Sequence, residues 1–141
     1  MNQSIGHFLP PAGLVKLHGD DRISSFSSDF ILKQIGYDGK WEDILDCTPV
    51  ECLTVGSLLS KTGFESVDII QIDAEGYDYE IVKSIDFDKL RPDIVCFEFL
   101  TLSESDRAEC LRFMVKNGYR WAREGRDLFA VHQDCKLNVV Q

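Results

Sequence analysis

The chain has 141 residues, the size of one ordinary domain, and its 44% apolar and 28% charged fractions are those of a globular protein. Fifteen Lys and Arg against 24 Asp and Glu leave a net charge of -9, which argues against a nucleic-acid backbone or an anionic membrane as partner. No run approaches the roughly 20 apolar residues of a membrane helix. The opening MNQSIGHFLPPAGLVK has no basic stretch followed by an apolar core, so a cytoplasmic place is expected.

Residues 1–24, with Pro10-Pro11, Gly13, Gly19 and Asp20-Asp21, read as an irregular segment carrying one short strand around Leu14–Leu17. A partial domain is expected over 25–135. It opens with a helix whose ends are marked by Ser27-Ser28 and Gly36, around the stripe Phe30, Ile31 and Ile35. Asp38-Gly39 marks a turn. From Pro49, VECLT (50–54) reads as a strand. Thr54 then N-caps a helix through VGSLLSKT that turns Val55, Leu58 and Leu59 inward and ends at Gly63. VDIIQID, apolar at Val67, Ile69, Ile70 and Ile72, is too continuous for one wet face and fits a strand covered on both sides. The stretch from Asp78 to about Ile85 predicts a helix with Ile81, Val82 and Ile85 on one stripe.

Pro92 opens a second buried strand, DIVCFEF. Ser103 and Asp106 resemble a capping box before a helix that buries Ala108, Leu111, Met114 and Val115 and stops at Asn117-Gly118. YRWA and DLFAV around REGR read as a closing hairpin, and Lys116, Arg120, Arg123 and Arg126, against Glu124, as its solvated edge rather than an anion site. Residues 136–141 are a tail. Cys47, Cys52, Cys96, Cys110 and Cys135 are odd in number and show no C-x-x-C, so reduced thiols are expected, Cys96 as a small core residue. Strands alternating with helices predict an α/β fold with a mostly parallel sheet and a C-terminal antiparallel hairpin. Ligands of such a fold bind beyond the carboxyl ends of the strands.

The sharpest feature is Gln71-Ile72-Asp73-Ala74-Glu75-Gly76-Tyr77-Asp78. Asp73 and Glu75 fall where the apolar strand ends and a helix begins, and Gly76 permits a tight turn or a close ligand approach. Two carboxylates two residues apart repel, so they need a cation, backbone N–H donors or a shared proton. Two readings stay open: helix capping, favoured by the exposed N–H groups and the dipole, and a functional carboxylate pair. Glu98 interrupts the apolar run Ile94–Phe99 near the carboxyl end of the next strand. It either points out of the sheet end into the crevice or is buried with a partner, and a third alternative is a strand-end residue in solvent. If Asp73 and Glu98 close adjacent strands, they face one crevice.

A Mg²⁺ site at Asp73 and Glu75 is a third reading, and it lacks a third acidic strand end and a lysine partner. No zinc site is expected, because His7, His18 and His132 are far apart. The sequence contains no G-x-x-x-x-G-K-[ST], no H-E-x-x-H, no G-x-S-x-G and no G-x-G-x-x-G after a strand.

VDIIQIDAEGYDYEIVKSIDF followed by KLRPDIVCFEF resembles the FkbM-type family of S-adenosylmethionine-dependent methyltransferases. Its members carry an apolar strand ending in I-D-x-E-G-x-[ED], a helix, and then a P-x-I-V-x-x-E strand. Asp73, Glu75, Gly76 and Asp78 take the motif positions and Glu98 matches the glutamate of the next strand. LTVGSLL is similar to the family's T-L-x-S-L-L element, and ISSFSSDFILKQ to a stretch before it, so the match spans roughly residues 22–132. The resemblance implies a Rossmann-like class I methyltransferase fold with S-adenosylmethionine as cofactor. It also implies methyl transfer to a hydroxyl of a small-molecule acceptor, a sugar or a secondary metabolite such as a polyketide. Asp73 and Glu75 are then the catalytic acids, and Gln71, Gly76 and Glu98 are candidate cofactor-side residues of the crevice.

The family's D-V-G-A-N-x-G loop and the ribose-holding second strand do not occur in the sequence, so an N-terminally truncated domain is expected. That loss takes the central neighbour from 67–73 and leaves an apolar edge. Either the strand near 50–54 moves in beside it, or a homodimer forms through it. The alternative function is a non-catalytic remnant, or a half domain completed by a partner.

Overall fold

Pro49 and the residues after it divide the chain into two units, Met1–Glu51 and Cys52–Gln141. The computed structural model describes residues 13–19, 24–40 and 43–135; the expected tail 136–141 and most of the expected irregular segment 1–24 lie outside them.

In the first unit, β1 (Leu14–Leu17) pairs antiparallel with β2 (Ser24–Ser25) and β3 (Leu45–Thr48), in the order β2-β1-β3. The helix α1 (Ser28–Ile35) has the expected ends: the Phe30 N–H donates to the Ser27 hydroxyl, and Gly36 closes it in the left-handed region at φ 65°. Val15, Ile31 and Leu45 form the small core. Ile35 is exposed, because an eight-residue helix has only two turns and Ile31 takes the inward face. The strand expected at 50–54 lies earlier, at Leu45–Thr48. Pro49 has no N–H with which to continue the ladder, and residues 51–54 instead lead into the cap of the next helix.

The second unit contains α2 (Val55–Thr62), β4 (Ile69–Ile72), α3 (Asp78–Lys83), β5 (Ile94–Glu98), α4 (Glu104–Lys116), β6 (Tyr119–Glu124) and β7 (Asp127–His132). Its sheet order is β4-β5-β7-β6. The strands β4 and β5 are parallel, with Ile69 beside Ile94 and Ile72 beside Phe97, whereas β7 is antiparallel to both β5 and β6. The expected mostly parallel sheet is therefore corrected to a mixed one. The closing hairpin folds β7 back between β5 and β6, which turns two of the three pairings antiparallel.

Val95, Phe97, Leu128 and Ala130 of the sheet pack with Val82, Ile85, Cys110 and Met114 around one core, and Cys96 is buried as expected. The β4 strand is not covered on both sides. Ile72 is buried but Ile69 is 57% exposed, because β4 is the edge of its sheet among the described residues. Capping by Thr54 and Gly63 holds α2, yet Leu58 is exposed and only Val55 and Leu59 pack partly against the core. In α4 the buried residues are Cys110 and Met114, with Leu111 partly buried; Ala108 and Val115 face outward. The inward stripe includes Arg107, whose guanidinium donates to the Leu100 carbonyl and lies over the Phe99 ring, and that rotates the helix away from the purely apolar register. No helix among the described residues is long and apolar enough to cross a membrane.

Candidate functional site

Parallel neighbours end at the same side of a sheet, so β4 and β5 bring Asp73 and Glu98 to one edge, one residue beyond the Ile72–Phe97 pair. The β7 strand starts at Asp127 opposite Glu98, which places the β6–β7 turn at that edge too. A cavity of about 410 Å³ opens there. Gln71, Asp73 and Glu75 line it from β4 and the loop after it, Glu98 from β5, and Glu124, Arg126 and Asp127 from the hairpin. The structure thus gathers Asp73, Glu75, Gln71 and Glu98 around one crevice, whereas Gly76 lies in the loop behind it.

The backbone of that loop is unusual. Glu75 and Gly76 are successive left-handed residues, with φ of 47° and 91°. Glycine adopts this region freely, but for a glutamate it costs about 1–2 kcal/mol, so something must hold Glu75 there. Beside it lies Asp78, which is fully buried. Its Oδ1 accepts from the N–H of Ala74 at 3.4 Å and of Glu98 at 3.3 Å, and its Oδ2 accepts from the N–H of Gly76 at 3.2 Å. The N-cap residue of α3, Tyr77, makes no side-chain cap bond. Asp78 itself binds this turn's backbone N–H groups.

The electrostatics follow from crowding. Partial burial, then the neighbouring charges of Asp73, Glu98 and Asp78, push the Glu75 carboxyl above its ordinary value, while Arg126 pulls it back. Burial also raises Asp78, against the lowering effect of the N–H groups it accepts. Arg126 donates through Nε to the Glu98 Oε1, with the arginine 61% and the glutamate 15% exposed. Arg126 is therefore not merely a solvated hairpin residue, and Glu98 both lines the crevice and is paired, partly buried, with Arg126. Glu124 and Asp127 are site residues that sequence reasoning missed, and Arg126 was read as part of a solvated edge; only the pairing of β7 with β5 brings the hairpin to the crevice.

Carboxylates of this kind accept hydrogen bonds from hydroxyls, attract cations and exchange a proton. Among the described residues no group of three or more His, Cys, Asp or Glu is placed to hold a metal ion. S-adenosylmethionine, the cofactor implied by the resemblance, combines hydroxyls and a sulfonium cation with an amino-acid carboxylate. The acids suit the first two. The carboxylate would find one basic group in the crevice, Arg126, already engaged by Glu98. The described crevice does not fit the whole cofactor.

A model of the methyltransferase FkbM domain matches residues 6–121 of the chain. No curated protein and no solved structure gives a significant match.

Proposed function

The chain belongs to the FkbM methyltransferase domain family, and from that premise we propose that the β4–β5 crevice is the acceptor side of an S-adenosylmethionine-dependent O-methyltransferase site. The acceptor is a hydroxyl of a sugar or a secondary metabolite. An alcohol oxygen is a poor nucleophile until its proton is taken, and a base of raised proton affinity is better matched to that task than an ordinary carboxylate. Glu75, raised by burial and by Asp73, Glu98 and Asp78, is the base in this reading. Asp73 orients the hydroxyl, and the Arg126–Glu98 pair closes the hairpin side. The methyl donor is held by groups outside the described crevice. The observation that carries the reading is the convergence of Asp73, Glu75 and Glu98 on one cavity at the strand ends. A cytoplasmic place belongs to the same proposal.

The test is transfer of a labelled methyl group from S-adenosylmethionine to a panel of monosaccharides and polyketide alcohols by the full chain. Glu75→Gln is expected to lower the rate about a hundredfold or more, the usual contribution of a general base. Equal rates for wild type, Asp73→Asn and Glu75→Gln would remove both roles.

A second reading is favoured by the edge position of β4, where Ile69 stands 57% exposed: a half domain that works only when a second copy pairs along that edge. Calorimetry with S-adenosylmethionine and sedimentation of the same sample separate the two. Micromolar binding by a monomer supports the enzyme alone; binding confined to a dimer supports the completed half.

A further inference from the structure

We propose that Asp78 is the positioning residue of the crevice: one buried carboxylate fastens both backbone neighbours of Glu75 to the end of β5 and thereby sets Glu75 against Glu98. The inference rests on the reading of the crevice as an acid site and deepens it. Three observations carry it. The Asp78 bonds reach Ala74 and Gly76, the residues on either side of Glu75, as well as the first N–H of its own helix. The third bond crosses twenty residues of sequence to the backbone N–H of Glu98. Between these anchors Glu75 is held at φ 47°, a conformation it would leave if either flanking amide were released.

A role in stability alone accounts poorly for this arrangement. Taking a carboxylate fully out of water is unfavourable, and an apolar side chain of similar size would fill the same space under α3 without that cost. What the apolar residue could not do is accept three N–H bonds from two separate elements. Both oxygens are needed. An asparagine keeps one acceptor and turns an N–H₂ toward an N–H donor, so at least one bond is lost whichever way the amide is placed. A glutamate keeps the charge but carries it one methylene further on, where the same three amides cannot all be met.

The experiment uses the apo chain and nuclear magnetic resonance, with no methyl transfer. In the wild type the amides of Ala74, Gly76 and Glu98 should all be protected from exchange, although the first two lie in a turn. In both Asp78→Asn and Asp78→Glu at least one of the Ala74, Gly76 and Glu98 amides should exchange about tenfold faster or more, the effect of losing a bond to a charged acceptor. The Glu75 carboxyl should titrate closer to an ordinary glutamate in both. Val82→Ala, a cavity under the same helix, provides the stability control and should leave the Glu75 titration where it was.

Three results overturn the proposal: unprotected Gly76 in the wild type, an unchanged Glu75 in Asp78→Glu, which would mean that only the charge matters, or an equal change in Val82→Ala. The wild-type exchange measurement decides even if the variants do not fold. Loss of the acid-site reading shows itself separately, as methyl transfer indifferent to Glu75→Gln while these amides remain protected.

Discussion

Removing one oxygen from Tyr119 gives the most quantitative test of how the site-bearing strand is held. Tyr119 begins β6 and is buried, and its hydroxyl donates at 2.7 Å to the carbonyl of Pro92, two residues before β5. The bond ties the hairpin to the amino end of the strand whose other end carries Glu98. Tyr119→Phe deletes the donor and leaves the Pro92 carbonyl unsatisfied, which costs about 1–3 kcal/mol. The pH dependence supplies a second, independent magnitude. Burial pushes the Tyr119 phenol up to about 12, against about 10 in an unfolded chain. A folded-state value above the unfolded one means stability that is fully present below pH 10 and is lost as the pH rises toward 12. The two-unit interval corresponds to about 2–3 kcal/mol of pH-dependent stability, set by burial rather than by the bond itself.

Urea unfolding followed by Trp121 fluorescence in a Trp41→Phe background reads this sheet, since the chain has 2 tryptophans. The variant should be less stable than the wild type near pH 8, and the difference should close toward pH 12. Tyr79 is also raised, by burial and by its bond to Glu109, but it is present in both proteins and cancels in the difference. A difference that stays constant between pH 8 and pH 11.5 would refute the shifted phenol, and no difference at pH 8 would refute the buried bond.

Three further outcomes are expected. Glu75 has a folded-state value above its unfolded one, so its contribution is present at low pH and lost as the pH rises through that value; Glu75→Gln should therefore raise the urea midpoint at pH 7 and lose that gain near pH 3. Arg126→Gln removes a charge that lowers Glu75, so carboxyl titration should find Glu75 higher still, while the urea midpoint at pH 7 should fall only slightly because the arginine is largely in solvent. Burial raises the thiol of Cys96, and that of Cys110 up to about 12; neither should react with an aromatic disulfide reagent near pH 8 until denaturant is added, as mass mapping of the labelled peptides would show.

The features legible in the sequence are those fixed by a few neighbouring residues. Ser27 with Gly36, and Thr54 with Gly63, set helix ends through bonds within one turn, and both helices lie where these residues put them. The meeting of Asp73 and Glu98 was legible too, because an apolar run before each acid needs only parallel pairing to bring the two ends together. Long-range pairing was not. Whether β7 lies beyond β6 or between β6 and β5 depends on contacts thirty residues away, and with it went the parallel sheet and the place of Arg126. The α4 stripe failed for a related reason: apolar periodicity cannot register that an arginine stem will be buried over Phe99. Asp78 was visible as a motif position, but an aspartate at the start of a helix looks alike whether it caps that helix or binds a strand.

The exposed edge and the acid crevice meet on the same strand, and that constrains whatever could complete the site. The β4 strand carries unpaired backbone along its outer side among the described residues and is followed directly by Asp73. A strand added parallel to it would finish beside Asp73 and bring its own following loop to the crevice mouth, where new N–H groups could meet an anionic end of a ligand. A second copy pairing through β4 itself by a two-fold axis must run antiparallel. It would bring the amino end of its β4, with Asp68, to the same place and add negative charge where Asp73, Glu75 and Glu98 already crowd. Electrostatics therefore favours a parallel strand with a donor-rich loop over self-pairing at neutral pH. Sedimentation should accordingly find any β4-mediated dimer strengthened as the pH falls through the carboxylate range, and a dimer tightest at pH 7 would exclude that pairing.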